Sequence, residues 1–167
     1  MDNKSNYIAQ GALVAAFYVV LTLISNLFGV ANGIIQIRLS EALTILPIFI
    51  PSAVPGLFIG CLIANIITGC ALFDIILGAL STLVGAYGTY LLRNHRLLAC
   101  LPPILANTLI IPLVLSQIYD FEGSIIYFAV TIFIGETLSA GVLGELLART
   151  LTPYVDRLGW NNVKEKK

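Results

Sequence analysis

QIRLSEALTILP, residues 36–47, sets a glutamine, an arginine and a glutamate at the mouth of a run that is otherwise apolar for about two helical turns. A charged pair beside such a run is costly unless it faces water, a partner or a cavity. The surrounding composition shows how costly. Of 167 residues, 58% are hydrophobic and only 11% are charged, whereas a soluble domain carries about 25% charged residues. Mean hydropathy is +0.94. The chain reads as an integral membrane protein, and the 36–47 stretch as the outer end of one of its helices.

A helix crosses the hydrocarbon core with about 20 apolar residues. On that scale the sequence predicts an all-α bundle of six transmembrane helices in one domain over 1–167. The approximate spans are 7–28, 38–54, 56–72, 73–92, 97–118 and 124–151. The second is short and ends at Pro51 and Pro55, and its borders with the next two are blurred because the apolar run is barely interrupted. Residues 7–28 are too long for a signal-peptide core and lack a clear cleavage site. Six spans put both termini on one side. With that side cytoplasmic, Lys4, Arg93, Arg96, Arg149, Arg157, Lys164, Lys166 and Lys167 lie inside, and Arg38 is the one basic residue outside, with Asp74, Asp120 and Glu122. That asymmetry follows the positive-inside rule, and Tyr154 and Trp160 suit an interfacial belt on the inner side.

This topology brings the polar residues of the spans toward one region. Gln36, Arg38 and Glu41 open the second span from outside, Asn65 lies in the outer half of the third, and Asp74 begins the fourth. Asn107 and Glu136 lie nearer the middle. Ionisable groups at such depth cost about 2.5–3.5 kcal/mol even on lenient scales, so they tend to face a cavity or a partner. The set outlines an outward-opening pocket. Simpler readings stand beside it: Arg38 and Glu41, at i and i+3, as an interfacial ion pair; Asp74 as a helix N-terminal acid; Asn65 and Asn107 as hydrogen-bonding glue between helices. Glu136, in FIGETLSAG (133–141), has no basic residue within a turn and is the strongest functional candidate. Glu145, one turn before Arg149, reads as a local pair, and His95 in RNHR (93–96) as solvated. Phe73, Tyr87, Tyr119 and Phe128 are candidate stacking surfaces for a planar ligand.

Small residues form a second pattern. Ala12 and Ala16, and beside them Gly11 and Ala15, give the first span a small-residue face; Gly56 and Gly60 do so in the third span, and Ala140, Gly144 and Ala148 in the sixth. Such ladders let membrane helices approach closely. In the third and sixth spans they read as internal packing, while the first-span face suits either internal packing or a separate protein.

Several functions are excluded. Nine basic and nine acidic residues leave no basic excess for a nucleic-acid binder. One histidine and three cysteines (Cys61, Cys70, Cys100) give no zinc spacing, so no metal or other cofactor is expected. No phosphate-binding glycine loop is present, and the lone histidine leaves no Ser-His-Asp set. The absence of repeat halves argues against an inverted-repeat transporter.

With six spans, inside termini, an Ala-xxx-Ala face and an outward pocket, the chain resembles the substrate-binding S component of an energy-coupling factor transporter. Within that group QIRLSEALTILPIFIPSAVPGLFIGCLIAN (36–65), DIILGALSTL (74–83) and IGETLSAG (134–141) resemble the queuosine-precursor transporter family, QueT, over nearly the whole chain. The resemblance implies a multi-pass protein of a prokaryotic plasma membrane that captures a 7-deazaguanine (preQ0, preQ1 or queuine) and is not itself an enzyme. It also implies partners: a transmembrane T component, docked on Ala12 and Ala16 with Gly11 and Ala15 beside them, and two ATPase subunits that supply the ATP chemistry. The pocket chemistry agrees, since a carboxylate accepts the paired N–H groups of a guanine-like edge and Asn, Gln or Arg can donate to its carbonyl. Competing readings are an S component for biotin or thiamine, a lipid-acting membrane enzyme using Glu136 as acid or base, and a ligand-free helix bundle.

Overall fold

The structure is a computed structural model that describes residues 3–29, 37–118, 125–155, 157 and 160. It is all-helical, with no strand among the described residues. Helix α1 (Asn3–Leu27) is followed by a 3-10 helix (Leu39–Ile48), then α2 (Ala53–Ile67), α3 (Leu72–Leu91) and α4 (Leu101–Ile118). The last long rod is α5 (Ile125–Glu136), a π-helical segment (Thr137–Leu143) and α6 (Gly144–Leu151) in unbroken succession. Three helical stretches are long and apolar enough to cross a membrane, Lys4–Leu27, Leu72–Leu91 and Ile125–Tyr154. Leu39–Ile48, Ala53–Ile67 and Leu98–Leu113 are shorter apolar helices.

The 36–47 stretch becomes the axis of the bundle. Its 3-10 helix touches α1, α2, α3, α6 and the π segment, and Ser40, Glu41 and every residue from Leu43 to Ile48 are buried. The sequence predicts one span over 38–54; the structure divides it into ten 3-10 residues and the start of α2. Pro47 lies inside the coil, where it offers no N–H and its ring would clash with the carbonyl four residues back in an α-helix. Thr44 Oγ1 also donates to the Glu41 carbonyl at 2.6 Å. The tighter coil has a consequence for reach. Leu39 N donates to Ser25 Oγ at 2.9 Å, and Ser52 Oγ donates to Gln10 Oε1 at 3.3 Å. The chain therefore runs antiparallel to α1 from Ser25 to Gln10, about 22 Å at 1.5 Å per residue. Ten 3-10 residues rise about 20 Å, where the same ten in an α-helix would rise about 15 Å.

Close approach of α1 and α2 rests on glycine. A Cβ on Gly56 would lie 2.5 Å from the Gly11 carbonyl oxygen, and one on Gly60 would lie 2.9 Å from the Ala15 carbonyl oxygen. The ladder in the last rod packs inward too. Glu136, Ala140, Gly144 and Ala148 are all buried, although steps of four at 3.6 residues per turn drift by about 120° over three steps. The π segment coils more slowly than an α-helix and takes up that drift, keeping all four buried. Outward-facing side chains form an apolar coat, including Leu13 and Phe17 on α1, Leu80 and Val84 on α3, and Val130 and Phe133 on α5.

Candidate functional site

Four elements converge on one buried amide. Asn107 of α4 donates from Nδ2 to Glu136 Oε1 at 2.9 Å and to Glu41 Oε2 at 3.5 Å. Its Oδ1 accepts from Ser81 Oγ of α3 at 2.5 Å, which fixes the amide with its NH2 toward the two acids. Tyr18 of α1 donates its hydroxyl to Glu41 Oε1. Glu41 is 2% exposed and Glu136 7%. Glu136 Oε2 is buried without a hydrogen-bond partner among the described residues. An acceptor stranded in an apolar interior costs about 1–3 kcal/mol, more when charged, so its place in the fold asks for a donor from outside the chain.

These residues surround a small cavity of about 20 Å³, lined by Arg38, Glu41, Cys61, Gly78, Thr82, Asn107, Ile111, Ile132 and Glu136. Cys61 Sγ accepts from Thr82 Oγ1 at 3.3 Å and from Asn65 Nδ2 at 3.6 Å. Gly78 leaves the space between α2 and α3 open: a Cβ there would lie 3.1 Å from Asn65 Nδ2 and 3.9 Å from Asp74 Oδ1. Asp74 is 8% exposed and stands in the first turn of α3, where a carboxylate also favours the helix dipole. The cavity has room for about one water; organic ligands occupy pockets of roughly 300–1,000 Å³. An organic ligand of that size would require this space to widen.

Of the residues singled out in the sequence, Arg38, Glu41, Asn107 and Glu136 line this cavity, and Asn65 and Asp74 border its Gly78 wall. Gln36 lies outside the described residues. Arg38 and Glu41 share the cavity without pairing: among the described residues the ion pairs within 4.0 Å are Arg96–Glu145 and Arg149–Glu145. Glu145 thus makes the local pair with Arg149 that the sequence suggests and also joins the 93–96 loop to α6 through Arg96. The stacking candidates differ from expectation. Phe73 and Tyr87 are 62% and 54% exposed on the outer surface of α3, Phe128 packs edge-on against Tyr127, and Tyr119 lies outside the described residues. The aromatic that reaches the site is Tyr18, 1% exposed. It was not legible as a site residue because one tyrosine in an apolar helix looks like ordinary core, and Ser81 was hidden for the same reason among small neighbours. The spacing Tyr18–Thr22–Ser25 is the one available signal. Thr22 Oγ1 donates to Ser40 Oγ at 2.9 Å, so this polar stripe faces the 3-10 helix.

The small-residue face of α1 separates into two stripes. Gly11 and Ala15 approach α2 at Gly56 and Gly60 and also line the apolar groove beside it. Ala12 and Ala16 are exposed and line the same groove, of about 510 Å³, with Ile8, Pro55, Ile59 and Ile63. Adjacent positions are about 100° apart, so one stripe lies closer to α2 than the other.

The profile of a family described as QueT transporter matches residues 8–153. No curated protein and no solved structure matches the chain.

Proposed function

The chain belongs to the QueT transporter family, and from that premise we propose that it is the substrate-binding S component of an energy-coupling factor transporter, which captures a 7-deazaguanine precursor of queuosine. The supporting observation is the Asn107 bridge, which holds two buried carboxylates at one cavity and leaves Glu136 Oε2 without a donor. A guanine-like edge offers adjacent N–H groups that a carboxylate accepts together, and Arg38, which lines the same cavity, is the donor we assign to a ring carbonyl. The protein spans the prokaryotic plasma membrane six times with both termini inside. A T component packs on the Ala12/Ala16 groove, and two ATPase subunits supply the energy. The polar site binds, and chemistry on the ligand is no part of its role.

Purification from membranes followed by mass spectrometry of the extracted ligand tests this reading, together with calorimetric titration of 7-deazaguanines, biotin and thiamine. A 7-deazaguanine is expected to be found bound and to titrate. Binding of biotin or thiamine with no 7-deazaguanine binding would overturn the substrate and keep the transporter. The expected signature of Glu136→Gln is affinity reduced by about 1–3 kcal/mol, since the amide presents a donor where the ligand also donates. Unchanged affinity in a folded Glu136→Gln variant would remove Glu136 from the ligand.

A further inference from the structure

Two arginines share one oxygen at the basic end of the bundle. Arg96 donates from Nη2 to Glu145 Oε1 at 2.7 Å, and Arg149 donates from Nε to the same oxygen at 2.9 Å. Two guanidinium groups on a single carboxylate leave a positive charge in excess. Each guanidinium presents several N–H donors in a planar fork, and Arg149, whose side chain is 65% exposed, gives Glu145 only its Nε. The neighbouring Arg93 is engaged elsewhere, its guanidinium 4.5 Å above the Tyr90 ring.

An apolar seam leads away from this pair. Ile104 of α4 stands against Gly141 of the π segment, where a Cβ would lie 3.5 Å from Ile104 Cδ1. Further along, Asn107 meets Glu136. Rising numbers on α4 thus meet falling numbers on the last rod, so the two run antiparallel. Leu101 and Leu105 stand three before and one after Ile104, and Leu138 and Val142 stand at the same offsets from Gly141. On antiparallel helices, equal offsets from the contact point fall on the same side of the seam. All four side chains are exposed, as are Leu97 and Leu146 beside Arg96 and Glu145. Cationic donors therefore stand at the head of an apolar strip.

We propose that this seam holds one anionic phospholipid, with its phosphate on Arg96 and Arg149 and an acyl chain along the strip between α4 and the last rod. In the orientation given above it is a lipid of the inner leaflet. Glu145 holds the two guanidinium groups side by side. Arginine meets phosphate oxygens through parallel N–H bonds, and basic pockets between membrane helices bind anionic headgroups. The excess positive charge matches a headgroup with a net negative charge, whereas a zwitterionic head brings its own ammonium. A free phosphate would meet the arginines and leave the apolar strip unused. The site lies apart from the central cavity and does not depend on which molecule that cavity takes.

Native mass spectrometry of the full chain in detergent tests the site. The probes are phosphatidylglycerol, phosphatidylcholine, the chain-free headgroup glycerophosphoglycerol and inorganic phosphate. One phosphatidylglycerol per chain is expected to be retained in preference to the other three. Arg149→Gln should lower its preference over phosphatidylcholine roughly fivefold, the share of one interfacial arginine, and Arg96→Gln with Arg149→Gln should abolish it. Arg93→Gln, which removes an equal charge from the end of α3, should leave it unchanged. Arg149→Gln alone decides the matter should the double variant fail to fold. Equal retention of the two lipids would mean annular lipid only and overturns the site. Equally tight binding of the headgroup or of inorganic phosphate overturns the lipid, and so does a preference that survives loss of the arginines or falls as far in Arg93→Gln.

Discussion

A single side-chain amide, that of Asn107, lies between two carboxylates and a serine hydroxyl, and its orientation is set by the last of these. Asn107→Asp removes both N–H donors and places a third acid between the first two. Each buried acceptor left without its donor costs about 1–3 kcal/mol, more if charged, so the variant is expected to lose ligand binding and to unfold at a clearly lower temperature in detergent. A thermal midpoint equal to wild type would show that the amide is not the bridge. Ser81→Ala is the milder counterpart. It removes one neutral hydrogen bond, worth about 1 kcal/mol, and lets the amide turn, so ligand affinity should fall while the fold persists. Arg38, Glu41, Asn107 and Glu136 could be picked out from sequence because polar groups stand out in an apolar helix. Tyr18 and Ser81 could not, because their partners lie 23 and 26 residues away along the chain.

At the scale of elements, the α1–α2 seam at Gly56 and the groove face at Ala12 have opposite tolerances. Gly56→Ala would place a methyl 2.5 Å from the Gly11 carbonyl oxygen, below contact distance and against backbone that cannot rotate aside. Overpacking costs about 1–3 kcal/mol, and the expected outcome is a destabilised isolated chain, read as a lowered unfolding temperature. Ala12→Leu projects into the open groove instead. The isolated chain should unfold and bind ligand as wild type does, while co-purification with the T component and ATP-driven uptake fall sharply. If Ala12→Leu abolished ligand binding and left the complex intact, the groove would belong to the ligand site and not to a partner. The 3-10 helix shows the complementary limit of sequence reading. Residues 39–48 have a composition that suits an α-helix, and only Pro47 hints at another coil. The tighter form prevails because every neighbouring element packs on it.

For the molecule as a whole, a ligand in the small central cavity makes binding and stability inseparable. A ligand that enters stabilises the native state by RT ln(1 + [L]/Kd), about 2.7 kcal/mol at a hundredfold excess over Kd. Wild-type protein is therefore expected to unfold at a higher temperature in saturating 7-deazaguanine. Glu136→Gln should show a smaller rise at the same concentration. No rise in the wild type would argue that the site stays closed to this ligand. The Arg96–Glu145–Arg149 cluster tests the reverse separation. Arg96 and Arg149 are 37% and 65% exposed, exposed pairs contribute about 0–1 kcal/mol, and the cluster joins the 93–96 loop to α6 at a distance from the cavity residues. Glu145→Gln is expected to leave ligand affinity unchanged in calorimetry.

The sequence by itself determined the solvent of this protein and its helical class, because the cost of unpaired backbone in hydrocarbon leaves long apolar runs few alternatives. It also singled out polar residues that meet at the cavity, since an acid or amide inside such a run stands against the same energy scale. The tertiary structure alone decided which of them meet. It brought Glu41 and Glu136 to one amide, set Gly11 and Ala15 closer to α2 than Ala12 and Ala16, and directed Phe73 and Tyr87 away from the site. These outcomes depend on helical phase and on close packing between segments distant along the chain. A 3-10 coil or a π segment shifts that phase by a fraction of a turn, enough to move a side chain from cavity to lipid, and local composition carries no record of the shift.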